Sequence, residues 1–325
     1  MASLPCYSSF DEKQRLYING NEDSFIISTK DEINELLVTI SGLYQSKSPV
    51  DLIFRGVNNA KYKLFNSAQR QWNENEFDKK GLSYFEFFGG YVEEAKRTPV
   101  LNHVYNRYGI PNEKRDFPIL ALLRHYGFPT PLLDWSYTIE TALFFAIDDY
   151  KVSSTDTIDD YISVYMIDKT KQYEFYNSKD IFPLGIGVKG FSDWDDDGIH
   201  SNSCYYLSDF EPERYSLVKS NYPYNNLRVQ DDRQETTILN HRIILQDGLL
   251  VFNPHGKKCL EEMFNISVFE EGANLEVSPF CCFNIHKSLI PFIINKVLTP
   301  KSISKEFIYP DISRIVSDVA DRKKL

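Results

Sequence analysis

The sequence lacks the short motifs that mark several common catalytic and metal sites. It contains no G-x-x-x-x-G-K-[ST] loop for phosphates, no H-E-x-x-H pair for zinc and no G-x-S-x-G nucleophile elbow. Its five cysteines are scattered without a C-x-x-C pair, which argues against a zinc ribbon or a dithiol site. We interpret them as reduced thiols in a reducing compartment.

Long apolar runs and an excess of positive charge are also missing. No apolar run approaches the roughly 20 residues that span a bilayer, and no basic start followed by an apolar run indicates a secretory signal. The net charge of −10 argues against broad, non-specific binding to nucleic acid or to an anionic membrane, because both need a positive field. It is compatible with one local basic cleft. We therefore expect a cytoplasmic protein without a membrane partner.

The sequence does contain clear helical and extended patterns. A capping box at 28–32 and apolar residues at helical spacing predict a helix over 30–45. Asp247 and Gly248 predict a hairpin turn between strands 242–246 and 249–252. Further helices are predicted over 82–97, 117–126, about 137–149 and about 311–322, and further strands over 51–56 and 161–167.

These patterns predict one α+β domain over residues 1–325, with a mixed or antiparallel sheet flanked by helices. The segment 168–238 is rich in Asp, Asn, Ser and Tyr and shows no helix of clear length. We predict that it is a long irregular insertion, a kind of segment that is often functional in compact domains.

The densest group of chemically capable side chains lies between two predicted helices. Arg124 and His125 end the first helix, where cations favour the dipole, but His125 could also act as an acid or base or bind a ribose hydroxyl. Asp134, Trp135 and Ser136 follow a turn stiffened by two prolines. Asp134 or Ser136 could cap the second helix or border an anion site at its start. Trp135 could stack on a planar ring or belong to the core.

Two more residues are candidates. Arg55 ends a predicted strand and could offer a bidentate fork to a phosphate or carboxylate, with Gly56 allowing a ligand to come close. Its alternative is a surface arginine paired with an acid. Gln246 could orient a substrate or be an ordinary exposed polar residue. The acidic run 193–198 matches half of a calcium loop, but Cys204 stands at the twelfth position, so we expect a solvated loop and no metal.

Eight elements of the sequence can be compared with a known family. In chain order they are FRG at 54–56, YKL at 62–64, Arg70, HYGFPT at 125–130, LLDWS at 132–136, ALFFA at 142–146, RIILQDG at 242–248 and FIYPDI at 307–312. Together they resemble the FRG domain family, which is named after its first tripeptide. Two positions depart from the family pattern, because Arg124 stands where the family has Gln and Pro131 stands where it has Arg. FRG domains often occur in bacterial genomes in settings that suggest toxins or phage defence. The matching elements extend from residue 54 to residue 312.

The order of these segments is also similar, more weakly, to the ADP-ribosyltransferase fold. That resemblance implies that Arg55 holds the phosphates or ribose of NAD and that Ser136 supports the nicotinamide ribose. It also implies that Gln246 stands at the reacting centre, where the fold has a late Gln or Glu.

Breaking the nicotinamide–ribose bond builds positive charge on the ribose, so a carboxylate serves better at that centre than an amide. Asp134, Asp247 and Glu235 are the candidates to supply one.

We therefore expect an NAD-dependent ADP-ribosyltransferase or NAD glycohydrolase that acts as a bacterial toxin or anti-phage defence effector. NAD would be its substrate, a protein or nucleic acid its acceptor, and the oligomeric state stays open. The alternatives are a non-catalytic nucleotide- or protein-binding sensor of a defence system and a nuclease. The predicted catalytic residues are Arg55, His125, Asp134, Ser136 and Gln246. The predicted NAD-binding residues are Arg55, Arg124, His125, Trp135 and Ser136.

Overall fold

The structure is a computed structural model, and it shows a mixed α+β fold in which one sheet is flanked by helices. This confirms the predicted fold class at that level. None of its helices combines the length and the apolar character that crossing a bilayer requires, within the part of the chain described. The described residues are 4–14, 26–45, 51–112, 115–150, 157–168, 205–208, 241–253, 255–262 and 280–310.

Within the described residues, seven strands form the sheet. In chain order they are β1 (Ile26–Ile27), β2 (Leu52–Val57), β3 (Leu132–Ser136), β4 (Tyr161–Asp168), β5 (Tyr205–Ser208), β6 (Gly248–Phe252) and β7 (Phe280–His286). Their spatial order is β1-β7-β4-β2-β3-β6-β5, so the sheet is open. β1 and β7 run parallel, and every other neighbouring pair is antiparallel.

The helices lie between and after the strands. They are α1 (Phe10–Gln14), α2 (Lys30–Gln45), α3 (Ser67–Glu74), α4 (Tyr84–Arg97), α5 (Pro99–Arg107), α6 (Asp116–His125), α7 (Ile139–Ile147), α8 (His241–Leu245), α9 (Ile290–Ile293) and α10 (Lys305–Ile308). Short π and 3-10 turns continue α9 to residue 301. Helix α2 begins at the predicted capping box, in which Glu32 N donates to Thr29 Oγ1 and Glu32 Oε2 accepts from the backbone N–H of Thr29.

Alternate residues of the strands pack into different cores. Leu52 and Phe54 of β2 belong to a core with α2 and α7, whereas Ile53 packs with Leu133 and Tyr165 in a core on the other face. This period of two is what an extended strand covered on both faces requires.

The sheet divides between β2 and β3, and this division positions the site. Only Phe54 and Ser136 are paired between the two strands. Beyond that pair β2 stays with β4, as in the pairing of Gly56 with Val164, and β3 stays with β6. The backbones of β2 and β3 therefore part from position 55 onward.

Two predictions of local structure are wrong. Residues 241–245 form helix α8 and not the first strand of a hairpin. Asp247 has a φ of 43°, and the backbone N–H groups of Gln246 and Asp247 donate back into α8, so the turn closes a helix. Because a Cβ on Gly248 would lie 2.8 Å from the Ile243 side chain, the glycine lets α8 pack directly on β6. Tertiary packing has overridden the strand propensity of this apolar run.

The second wrong prediction concerns Asp134 and Ser136, which belong to β3 and do not cap α7. Thr138 is the N-cap residue of α7, and no side chain caps that helix. The block is extended because every residue of β3 is paired with β6. The predicted helix 311–322 and the acidic run 193–198 lie outside the described residues, as does the predicted insertion except for its first residue and β5.

Candidate functional site

A cavity of about 510 Å³ opens where β2 and β3 part. Its walls come from β2 and the loop that follows it, from the end of α6, from β3, and from α8 with the start of β6. Six predicted site residues line it, and these are Arg55, Arg124, His125, Asp134, Trp135 and Gln246. The predicted residue that does not line it is Ser136.

The cavity is strongly cationic. Its lining contains four arginines and one lysine, which are Arg55, Arg70, Arg124, Arg242 and Lys63, against a single carboxylate, that of Asp134. The chain as a whole carries a net charge of −10. Positive charge is therefore concentrated in a concave place where field lines are focused, which favours an anionic ligand.

Arg55 is half-buried in β2, where the strand leaves β3. Its Nη1 donates to the backbone oxygen of Asp134, and its buried Nε has no hydrogen-bond partner. Burial lowers the pKa of Arg55 to about 10, and the charges of Arg124 and Arg70 act in the same direction. The guanidinium remains protonated at neutral pH and retains a donor that nothing in the described protein satisfies.

Gly56 lines the cavity and also packs closely against helix α7. A Cβ at this position would lie 1.8 Å from the backbone oxygen of Ala142 in α7. The missing side chain therefore lets α7 pack against β2, which fixes the strand that carries Arg55.

The C-terminus of α6 places Arg124 and His125 at the cavity. Gly127 adopts a φ of 78°, the backbone N–H of Gly127 donates to Arg124 O (3.0 Å), and that of Phe128 donates to Leu123 O (2.9 Å). This is a Schellman motif, as the glycine in the sequence suggested. The His125 ring makes an edge contact with Tyr126, with the centroids 4.9 Å apart.

Arg124 and Asp134 form an ion pair at the cavity wall. Arg124 Nη2 and Nε donate to Asp134 Oδ2 at 2.5 and 3.0 Å, and Nη1 reaches Ser67 Oγ at 3.3 Å. Asp134 raises the pKa of Arg124. Burial by itself would raise the pKa of Asp134, but the charge and hydrogen bonds of Arg124 and the charge of Arg55 lower it. The one carboxylate of the lining is therefore an anion at neutral pH.

Trp135 forms part of the cavity floor. It is 3% exposed, and its ring packs at 6.4 Å from that of Phe280 in the core. Its Nε1 is buried without a hydrogen-bond partner. The two interpretations left open by the sequence are thus combined, because a core ring presents one part of its surface to the cavity.

Ser136 and Gln246 serve the architecture around the cavity. Ser136 is buried, donates to Gln246 O (2.7 Å) and accepts from the backbone N–H of Thr138 (3.1 Å). The Gln246 amide lines the cavity but donates to Ile308 O at 3.1 Å. Of the other proposed carboxylates, Asp247 is exposed and does not line the cavity, and Glu235 lies outside the described residues.

Several lining residues were not recognised individually as site residues in the sequence. Arg70 projects from α3, Arg242 from α8 and Tyr309 from the segment after α10. The Arg242 guanidinium lies 5.8 Å from the centroid of the Tyr309 ring, and the Tyr309 hydroxyl donates to Asp148 Oδ2 at 3.0 Å. The only signal for these residues was their position in the segments that resemble the family.

A family model for the FRG domain matches residues 50–155. The match confirms the resemblance to the FRG family for this segment, which carries five of the six predicted site residues that line the cavity, from Arg55 to Trp135. Arg242, Gln246 and Tyr309 lie beyond it. No curated protein and no solved structure matches the chain.

Two observations concern possible metal and nucleotide sites. The described residues contain no group of three or more His, Cys, Asp or Glu side chains that could hold a metal ion. A G-x-G-x-x-G pattern from Gly185 to Gly190 lies outside the described residues.

Proposed function

We propose that the cavity binds a phosphate-bearing dinucleotide, with NAD as the preferred ligand. The observation that carries the proposal is the excess of four arginines and one lysine over one carboxylate in the lining of a chain that is acidic overall. A guanidinium group can donate two parallel hydrogen bonds to two oxygens of one phosphate. The volume, about 510 Å³, falls within the usual range for small-molecule sites.

The pyrophosphate, the ribose and the base of NAD would each contact different residues of the cavity wall. Arg55 and its neighbours would hold the pyrophosphate, and His125 would bind a ribose hydroxyl. The rings of Trp135, Tyr62 and Tyr309 supply surfaces for a planar base. These assignments use the residues that the sequence resemblance singled out and add the aromatic side chains that the fold brings to the same place.

Cleavage of the nicotinamide–ribose bond is the reaction that we propose. Positive charge builds on the ribose as that bond breaks, and Asp134, ionised at neutral pH, is the carboxylate of the described lining that could stabilise it. Gln246 suits this role less well, because its amide is neutral and bonded to Ile308 O. The ADP-ribosyl group would then pass to water or to an acceptor on a protein or nucleic acid.

A non-catalytic nucleotide sensor is the second candidate, and one observation favours it. The oxygens of Asp134 accept hydrogen bonds from Arg124, so the carboxylate is turned towards a cation of the protein itself. If that pairing persists with ligand bound, the domain would bind NAD without cleaving it.

The test measures NAD affinity by calorimetry and nicotinamide release by chromatography on the same protein samples. We expect Arg55→Ala to weaken NAD binding at least about tenfold, because a charged phosphate contact is lost. We expect Asp134→Asn to retain binding but to lower nicotinamide release by about 10²-fold or more. Arg97→Ala is the matched control, since Arg97 is exposed on α4 and pairs only with Glu94.

The outcomes separate the candidates. Nicotinamide release by the wild type that is strongly reduced in both Arg55→Ala and Asp134→Asn supports the enzyme. Saturable binding without release, lost in Arg55→Ala, supports the sensor. No NAD binding by the wild type contradicts both.

The role as a toxin or anti-phage effector stays a prediction from the family resemblance. Its test is expression in bacterial cells: the wild type should deplete cellular NAD and stop growth, and Asp134→Asn should do neither.

A further inference from the structure

Three arginines on one side of the cavity, Arg55, Arg70 and Arg124, act on one another electrostatically. After burial, the charge of Arg124 is the main influence that lowers the pKa of Arg70, and Arg124 and Arg70 both lower that of Arg55. Asp134 is the carboxylate of the described lining that opposes this repulsion. We call these three residues the arginine cluster.

Most hydrogen-bonding capacity of the cluster is unused by the described protein. A guanidinium carries five N–H donors. Arg55 makes one hydrogen bond, to Asp134 O, and Arg70 makes one, from Nη2 to Phe65 O at 2.8 Å. Arg124 is the member that is well paired, and its main partner is the Asp134 carboxylate.

The geometry of that pair is the one an oxyanion ligand would adopt. Asp134 Oδ2 lies on the Nε and Nη2 edge of Arg124, at 3.0 and 2.5 Å. This edge binds a carboxylate and a phosphate in the same way. The pair is also open to solvent, with 24% of the Arg124 side chain and 39% of the Asp134 side chain exposed. Partly exposed ion pairs contribute little to stability, so a ligand can displace one member at small cost.

We propose that Asp134 is an internal substitute for a ligand phosphate: a pyrophosphate group binding to the arginine cluster displaces the carboxylate from Arg124. This rests on the proposed nucleotide site and adds regulation to it. In the ligand-free protein, Asp134 neutralises Arg124 and is turned away from the reacting centre. When phosphate oxygens take its place, Asp134 is released to face the ribose. Binding of the correct ligand thereby prepares the carboxylate for the reaction.

Inorganic pyrophosphate is the probe, because it has no glycosidic bond and its binding does not depend on NAD cleavage. Affinity would be measured by calorimetry at constant ionic strength for the wild type, Asp134→Asn, Arg124→Gln and the double variant. Asp134→Asn removes the internal competitor and should tighten pyrophosphate binding by about tenfold.

Removal of any nearby negative charge would help an anion slightly, so the control must remove the same charge without the pairing. Glu74 is suitable, because it is an exposed residue of α3 whose charge acts on Arg70. Glu74→Gln should tighten pyrophosphate binding by less than about twofold, since the interaction of exposed charges is screened by salt. Equal gains in Asp134→Asn and Glu74→Gln would overturn the proposal.

The double variant tests the exchange directly. If pyrophosphate replaces Asp134 on Arg124, loss of Arg124 should cost more affinity in the Asp134→Asn background than in the wild type, because there the ligand has Arg124 without competition. Additive effects would mean that the two anions do not compete for the same guanidinium, and the proposal would be wrong.

The experiment also separates this inference from the proposed function. Tighter pyrophosphate binding by Asp134→Asn with no nicotinamide release by the wild type would leave the exchange standing and remove the enzyme. No pyrophosphate binding by either protein would remove the exchange. Thermal unfolding of each variant confirms that the compared proteins are folded.

Discussion

Two groups of charged residues lie side by side in this molecule and differ in how completely they are paired. One is the arginine cluster at the cavity, and the other is built around Lys13 and Glu261. Arg55 lies directly opposite Tyr165 in the register of β2 and β4, and the Lys13 ammonium lies 5.1 Å from the centroid of the Tyr165 ring. One aromatic ring thus stands between an arginine with an unused donor and an ammonium whose donors are all used.

Lys13 is fully buried, and its ammonium uses all its hydrogen-bonding capacity. Nζ donates to Ala60 O and Ser163 Oγ, both at 2.8 Å, and to Asn284 Oδ1 at 2.9 Å. An ammonium has three N–H groups, so each has a partner. The Lys13 charge is thus saturated by the described protein, whereas Arg55 retains an unpaired Nε, as the proposed ligand-binding role requires.

The buried group also supports the cavity. Lys13 holds Ala60, and both oxygens of Glu261 accept from the backbone N–H of Leu64 at 2.9 Å. The loop between these two points carries Tyr62 and Lys63, which line the cavity. Residues before and after the FRG domain therefore fix one wall of the site that the domain carries.

The largest loss of stability is expected from replacing Lys13. Lys13→Met should lower the free energy of unfolding by about 3–5 kcal/mol, because three buried hydrogen bonds are lost and Glu261 loses a nearby positive charge. Chemical denaturation measures it. Lys79→Met is the control, since Lys79 is exposed and pairs with Glu76, and it should change stability by less than about 0.5 kcal/mol. Similar midpoints for Lys13→Met and wild type would show that the buried group is not structural.

A second prediction concerns the pH dependence that Glu261 contributes. Burial raises the pKa of Glu261 above its usual value of 4.5. Between these two values the folded protein retains a proton that the unfolded chain has released, so the Glu261 contribution to the free energy of unfolding falls as the pH rises through this window. In Glu261→Gln that loss disappears. The stability of the variant minus that of the wild type should therefore increase with pH above 4.5.

Denaturation curves at a series of pH values would check the sign. A difference between Glu261→Gln and wild type that is constant with pH, or that decreases as the pH rises, contradicts a raised pKa at Glu261.

The comparison also explains which parts of the molecule could be predicted from the sequence. Helix α2 was predicted well because one periodic apolar pattern specifies it, and strand β4 because its residues are aromatic and β-branched. The end of α6 was predicted because Gly127 has a local conformational role. The FRG segment likewise pointed to Arg55 and Asp134, which share the cavity.

What the sequence did not reveal depends on distant contacts. Lys13 lies in a short polar segment, and nothing local predicts that Ser163 and Asn284 enclose it. Arg242 was placed on a strand because its neighbours have high strand propensity, and only packing against β6 makes that segment helical. Charge saturation, the property that separates the two groups, is decided entirely by residues far apart in the chain.

The smallest change in stability is expected from replacing Arg55. Arg55→Met removes a half-buried cation that makes one hydrogen bond, and burial and repulsion by Arg124 and Arg70 together outweigh its attraction to Asp134. Relief of that repulsion offsets the lost bond, so the variant should be as stable as the wild type or up to about 1 kcal/mol more stable. Its advantage should shrink as salt is added, because screening weakens the repulsion in the wild type.

Arg115→Met provides the matched substitution at a saturated arginine. Arg115 is 4% exposed, and its three nitrogens donate to Ile110 O, Asn102 Oδ1 and Asn106 Oδ1. Its replacement should cost about 3 kcal/mol in the same denaturation assay, because the buried oxygen of Ile110 and the side-chain oxygens of two asparagines lose this donor. If Arg55→Met were as destabilising as Arg115→Met, the Arg55 guanidinium would be satisfied by the fold, and its unused donors would no longer indicate a ligand. If Arg55→Met is as stable as the wild type but fails to bind NAD, the Arg55 cation does not stabilise the folded protein and is needed to bind the ligand.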